Sequence, residues 1–200
     1  MQFVPVCNVW NINFFVGSGI VFSILPKNTK IKTMTTNIRP ANIRPAEQKD
    51  AAAIAAIYNQ YTGTATLDTE KRDAVYFKEL MEKLDSRETM LVVEHESTVA
   101  GYGILKKYTW KKGYQYAGET SVFLDGKSRG KGLGNKMKKT LIEKARELEY
   151  RHLVARIMAH NKLSIEYNLK LGYEMVGIQK QIGYAKGQWH DVAILQLVLH

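Results

Sequence analysis

Cysteine is nearly absent. Cys7 stands alone, so no internal disulfide can staple the chain, and a reducing cytoplasm is the expected setting. No apolar run reaches the roughly 20 residues of a membrane-spanning helix. The run from Phe14 to Leu25 stops short, and Asn8, Asn11 and Asn13 interrupt any longer one. No basic residue precedes it and no small-x-small cleavage site is clear, which argues against a secretory signal. His152, His160, His190 and His200 keep no metal-ligand spacing with cysteine or acidic partners, so no metal is expected. No Ser-His-Asp set is suggested, and His190-Asp191 reads as structural, at a sheet-to-loop junction. The net charge of +10 allows an anionic partner. The lysines are spread out and no RNA- or DNA-binding motif accompanies them, so nucleic acid is not expected.

The composition that remains, 45% hydrophobic and 24% charged over 200 residues, suits one globular domain with a proper core. Residues 1–33 differ from the rest, being apolar to Leu25 and then carrying Lys27, Lys30 and Lys32. They are expected to lie outside the fold, as an upstream extension ahead of a start at Met34. A membrane-associating tail is the other reading. The domain proper is expected over residues 34–200. Asn37-Ile-Arg-Pro-Ala41 is repeated at once as Asn42-Ile-Arg-Pro-Ala46. One copy serves as the first strand and the other as lead-in.

The stretch from Gly118 to Lys139 organises the chain. Tyr114 to Leu124 reads as the central strand, with its strand pattern from Glu119 on. Leu133, Met137, Leu141, Ala145 and Leu148 recur at helical steps. Between them lies Arg129-Gly-Lys-Gly-Leu-Gly134. A strand, a glycine turn and a helix start make an anion site: glycine permits φ > 0 and close approach, and the free N–H groups of the first helical turn face the anion. Lys127, Arg129 and Lys131 add positive charge. The spacing fits neither a Walker loop nor a dinucleotide fingerprint.

In order, Asp50 caps a helix through Ala51 to Asn59, and Asp68 or Thr69 starts a second to about Leu84, with Val75, Leu80 and Leu84 buried. Met90–Glu94 and Val99–Leu105 form a hairpin around Glu96-Ser97. After the glycine turn and its helix come a strand His152–Met158 and a helix Lys162–Leu171, capped by Asn161 and ended by Gly172. Strands Tyr173–Ile182 and Val192–Leu199 follow, joined by a loop holding Gly187 and Trp189. The order is β-α-α-β-β-β-α-β-α-β-β, an α/β (α+β) class with a mixed sheet flanked by helices.

Arg129, Gly132 and Gly134 match Arg/Gln-x-x-Gly-x-Gly/Ala, the pyrophosphate loop of the GNAT acyltransferases, which bind acyl-coenzyme A. From about Asn42 to Leu199 the chain resembles that superfamily, and within it the phosphinothricin N-acetyltransferase branch. Ile43-Arg-Pro-Ala, Ile57-Tyr-Asn, Glu119-Thr-Ser-Val-Phe, Gly130-Lys-Gly-Leu-Gly, Asn161-Lys-Leu-Ser, Lys170-Leu-Gly-Tyr and Gly187-Gln-Trp-His-Asp-Val carry the resemblance. It implies a mostly antiparallel sheet, acetyl-coenzyme A as cofactor, a small amino-acid-like amine as acceptor, and a homodimer.

The resemblance also implies roles. Glu119 is the general base; on a mid-sheet strand it is partly withdrawn from water, which raises a carboxyl pKa. The alternative is an exposed strand glutamate paired with a lysine. Ser121, Val122 and Phe123 face the cofactor arm with backbone groups freed where the strand splays from His152–Met158. Arg129, Gly130, Lys131, Gly132, Leu133 and Gly134 hold the pyrophosphate. Asn161, Ser164 and Asn168 complete the cofactor site. Asn168 occupies the position where many members carry a tyrosine, and this branch a histidine, to protonate the thiolate. Asn cannot act as an acid near neutral pH, and Tyr167 falls one residue away on a different helix face. Tyr61, Thr64, Tyr114, Tyr184 and Trp189 are candidate substrate walls. Gln115 stands where some relatives that acetylate methionine sulfoximine carry an arginine for the substrate carboxylate. A protein or peptide acceptor, and an acyl-coenzyme A sensor without turnover, are the competing functions.

Overall fold

The computed structural model describes residues Ala41–His200. The expectations for residues 1–33, the start at Met34 and residues 37–40 of the first Asn-Ile-Arg-Pro-Ala copy lie outside the described residues. The second copy forms β1, Asn42–Pro45. Helices α1 (Ala51–Tyr58) and α2 (Ala74–Glu82) follow, then strands β2 (Thr89–His95), β3 (Thr98–Lys107) and β4 (Ala117–Leu124). Helix α3 (Leu133–Glu147), β5 (His152–Met158), α4 (Lys162–Lys170), β6 (Glu174–Ala185) and β7 (Gln188–Val198) complete the order read from the sequence.

The strands make one seven-stranded sheet in the order β1-β2-β3-β4-β5-β7-β6. All neighbours run antiparallel except β4 and β5. Period-two alternation sends alternate residues to opposite faces. Leu91, Val93 and Leu105 pack with Met137, Leu141 and Ala145 of α3. Met90, Val92, Tyr102 and Ile104 pack with Ile54 and Ile57 of α1 and Phe77 of α2. Two apolar layers therefore sandwich the sheet. No described helix is long and apolar enough to cross a membrane.

Three local expectations are corrected. Asp50 does not cap α1 with its side chain; the buried carboxylate takes Arg44 Nη1 at 2.7 Å, Arg44 Nη2 at 2.9 Å and the Glu47 N–H at 2.8 Å. The second helix starts at Ala74, because Asp73 accepts the Tyr76 N–H at 2.9 Å. Asp68 is instead drawn to Arg72 Nε at 2.8 Å and the Tyr58 hydroxyl at 3.0 Å, which ties down the preceding loop. The later start turns Val75 to solvent and buries Phe77. Finally, no long loop joins β6 and β7. Lys186 and Gly187, with φ of 49° and 76°, make a two-residue turn of the kind that suits hairpin twist, and Trp189 belongs to β7.

Candidate active site

Strands β4 and β5 pair only at Ala117–His152, Gly118–Leu153 and Glu119–Val154. Beyond Glu119 they diverge: β4 continues to Leu124 along β3, and β5 continues to Met158 along β7. The backbone of β4 from Thr120 on thus lacks a ladder partner on its β5 side. Such groups require satisfaction from elsewhere, and a ligand entering the wedge supplies it.

At the end of β4 the chain is pinned. The Tyr61 hydroxyl donates to the Leu124 carbonyl at 2.5 Å and accepts the Leu124 N–H at 3.2 Å. Gln60 bonds the Gly126 N–H at 2.9 Å and Asp125 Oδ2 at 3.0 Å. Asp125 Oδ1 takes the Lys127 N–H at 2.9 Å. The turn then passes through Gly130 and Gly132, with φ of 76° and 75°, where a Cβ would meet nothing within 4 Å. Gly132 is the N-cap of α3 and offers no side chain to the first helical turn, so N–H groups there stay free. An open, donor-lined cradle flanked by Lys127, Arg129 and Lys131 fits a pyrophosphate.

Helix α4 closes the other side. Asn161 Oδ1 caps it by accepting the Ser164 N–H at 3.2 Å. Asn168 is buried, donates to the Ser164 carbonyl at 2.8 Å, and its Oδ1 has no hydrogen-bond partner among the described residues. Tyr167 reaches the Gly134 carbonyl at 2.6 Å, linking α4 to the first turn of α3. Burial pushes the Tyr167 hydroxyl above the usual tyrosine range.

On the α1–α2 face of β4, a cavity of about 440 Å³ opens beside the wedge. Glu119, Ser121 and Phe123 project into it from alternate positions of β4. Phe123 stacks on Tyr102 with ring centroids 5.1 Å apart, and Tyr58 meets Phe123 edge-on at 5.6 Å. Tyr76, Phe77, Leu80 and Ile104 extend the apolar wall. Asp191, in β7, accepts the Gln181 N–H at 2.7 Å and fixes the bulge of β6 that turns Ile182 into the cavity. His190 Nε2 lies 3.1 Å from the Ala185 carbonyl.

Glu119 is largely withdrawn from solvent, and it is paired. Arg156 of β5 grips it with two bonds, Nε to Oε1 at 2.8 Å and Nη2 to Oε2 at 2.5 Å. Nor is it the exposed, lysine-paired glutamate of the alternative reading.

The expected substrate walls are not brought here. Tyr61 is spent on Leu124, and its ring lies 5.0 Å from the Arg129 guanidinium. Thr64 bonds the Tyr61 carbonyl. Tyr114 and Gln115 precede β4 in an exposed turn, where Tyr114 meets Tyr108. Tyr184 and Trp189 meet each other near the β6–β7 turn, both more than half exposed. Besides β4, the residues that do line the cavity come from α1, α2, β2, β3, β5, β6, β7 and the loop after α1, and only the topology assembles them. Among the described residues no group of His, Cys, Asp or Glu is arranged to hold a metal ion.

The chain is similar to known acetyltransferases. The chain is 31% identical to phosphinothricin N-acetyltransferase of Streptomyces viridochromogenes, over 82% of this chain and 90% of that one. It superposes with a TM-score of 0.77 on the ribosomal-protein-alanine N-acetyltransferase of Brucella melitensis, at 32% identity, covering 79% of this chain and 99% of the other. A Salmonella typhimurium protein solved with its cofactor acetyl-CoA gives 0.76 at 31% identity, covering 80% and 94%. Residues 43–194 match the acetyltransferase (GNAT) domain, and with the strand wedge and glycine cradle in place the chain belongs to the GNAT acetyltransferase family.

Proposed function

We propose that this enzyme acetylates the primary amine of a small amino-acid-like molecule, with Glu119 as general base. Acetyl-coenzyme A supplies an acetyl group activated as a thioester. The glycine cradle and the basic residues around it hold the phosphates, and the unpaired edge of β4 orients the arm. Ser121, Val122 and Phe123 carry that edge, while Asn161, Ser164 and Asn168 border the wedge from α4. The observation that carries the reading is the position of Glu119. Among the described residues it is the only carboxylate lining the cavity, on the last residue of β4 that pairs with β5, ten residues before the pyrophosphate turn.

An alkylamine resembles lysine, with a pKa near 10.4, and is mostly protonated at neutral pH. Glu119 takes that proton directly or through one water, and the free amine attacks. The departing thiolate has a pKa near 8.5 and is a tolerable leaving group without an acid. That explains how a buried Asn168, which cannot act as an acid near neutral pH, is compatible with turnover. A cavity of about 440 Å³ is within the range of small-molecule sites. A peptide amine is the second acceptor class, favoured by the likeness to the Brucella protein.

Glu119→Gln tests the role. Turnover falls roughly 100- to 10,000-fold near neutral pH, the usual worth of a general base, and the deficit shrinks at high pH. Coenzyme A affinity stays within about twofold, since the phosphates are held elsewhere. Normal turnover in the folded variant removes Glu119 from the mechanism. Acetylation of peptide amines with none of amino acids, analogues or polyamines replaces the acceptor class.

A further inference from the structure

The Arg156–Glu119 pair has an unusual disposition. The Arg156 side chain is 57% exposed and the Glu119 side chain 18%. The guanidinium therefore stands at the mouth of the cavity, in front of the carboxylate it holds. Two of its nitrogens are used on Glu119, and Nη1 has no hydrogen-bond partner among the described residues. Lys106, opposite Glu119 in the β3–β4 register, also lines the cavity and has no ion pair among the described residues. The lining thus carries two cations and one anion, with an aromatic and aliphatic wall behind them. Such a site has a cation to spare for an anionic group of a ligand.

We infer that Arg156 is the receptor for a carboxylate on the acceptor, and that this carboxylate displaces Glu119 from the guanidinium. This rests on the amine-acetylation reading above and adds the recognition group. A planar guanidinium takes one carboxylate in place of another with the same fork geometry. The exchange replaces one ion pair with two. Before binding, Arg156 holds Glu119, and the acceptor's ammonium and carboxylate are in water. Afterwards Arg156 holds the acceptor's carboxylate, and the released Glu119 faces the acceptor's ammonium. No charge is left buried and unpaired, which would be costly. The acceptor so defined is an α-amino acid with an apolar side chain set against Tyr58, Phe77, Tyr102 and Phe123. An amine without the carboxylate leaves Glu119 tied to Arg156, so recognition and base release are one event. Arg156 thereby supplies from β5 the function that Gln115, exposed ahead of β4, does not.

The test compares three acceptors sharing one apolar side chain, that of leucine, methionine or phenylalanine: the free amino acid, its primary amide and its decarboxylated amine. Wild type prefers the free acid by at least about 10-fold in kcat/KM. Arg156→Gln loses about 10- to 100-fold on the free acid, the worth of a charge-assisted pair. It keeps or gains activity on the amide and the amine, because Glu119 is no longer held. Activity on those two also reports that the variant is folded. Equal losses on all three acceptors, a preference for the free acid that survives the substitution, or no preference in wild type overturns the inference. If none of the three is acetylated, the amine-acetylation reading fails. Calorimetry on coenzyme A-loaded protein then decides this one alone. Binding of the free acid that weakens about 10-fold or more in Arg156→Gln supports the receptor. Binding that is absent, or indifferent to the substitution, overturns it.

Discussion

Lys138 Nζ lies 2.6 Å from Thr120 Oγ1, on the face of β4 opposite Glu119 and its cavity. Thr120 in turn meets the Tyr173 hydroxyl at 3.0 Å, and the lysine sits 4.7 Å over the Tyr173 ring. Among the described residues no carboxylate pairs with this buried amine, so burial pushes its pKa down to about 7, with Glu119 opposing.

Stability should therefore depend on pH through Lys138. Its folded pKa, about 7, lies below the unfolded 10.5. Between those values the unfolded chain binds the extra proton, so this group's contribution to stability rises with pH across that window. Lys138→Met does not titrate there. It should be the more stable form below pH 7, by on the order of 3–5 kcal/mol, and lose that advantage toward pH 10.5. Urea melts of both proteins across this range check it, and parallel stability curves would contradict it.

Gly132 does two separable jobs. At φ 75° an L-residue is strained, so Gly132→Ala should cost about 1–2 kcal/mol of stability. Asn tolerates this conformation better, so Gly132→Asn should recover most of that loss. Both put a Cβ into the cradle and should weaken coenzyme A about 10-fold or more, read by calorimetry. Asn restoring affinity together with stability would mean that the open space over the turn binds nothing.

Tyr61→Phe removes the one side chain that satisfies both backbone groups of Leu124. Loss of stability of about 1–3 kcal/mol follows from the two groups left unpaired. The glycine turn loses its anchor at the same time, so coenzyme A binding should weaken several-fold while a small acceptor's KM changes little. A KM effect confined to the acceptor would restore Tyr61 to the substrate wall.

Much of this was legible in the sequence because it is local. The start of α3 follows from glycines just before a helical period, and β5 from a short apolar run between two helices. The Glu96-Ser97 hairpin sits where both residues take positive φ, 52° and 64°. The start of α2 was not legible, because Asp68, Thr69 and Asp73 are all acceptable caps, and the ion pair of Asp68 with Arg72 decides between them. The cavity wall was illegible for a different reason. Tyr58, Tyr76, Tyr102 and Arg156 come from four elements, and each alone reads as packing or as the outer face of a strand. Tyr114 and Gln115 misled because the strand pattern runs on through residues that instead form a short 3-10 turn before Ala117.

The wedge between β4 and β5 is also a seam. Two half-sheets, one of strands β1 to β4 and the other of β5 to β7, are stitched by three residue pairs, whereas β5 and β7 are stitched by seven. A fabric gives way where its stitches are fewest. Amides flanking the seam are thus expected to exchange with solvent before those inside either half. A molecule lodged in the opening acts as a strut between the halves, so the donor that feeds the reaction also braces the frame.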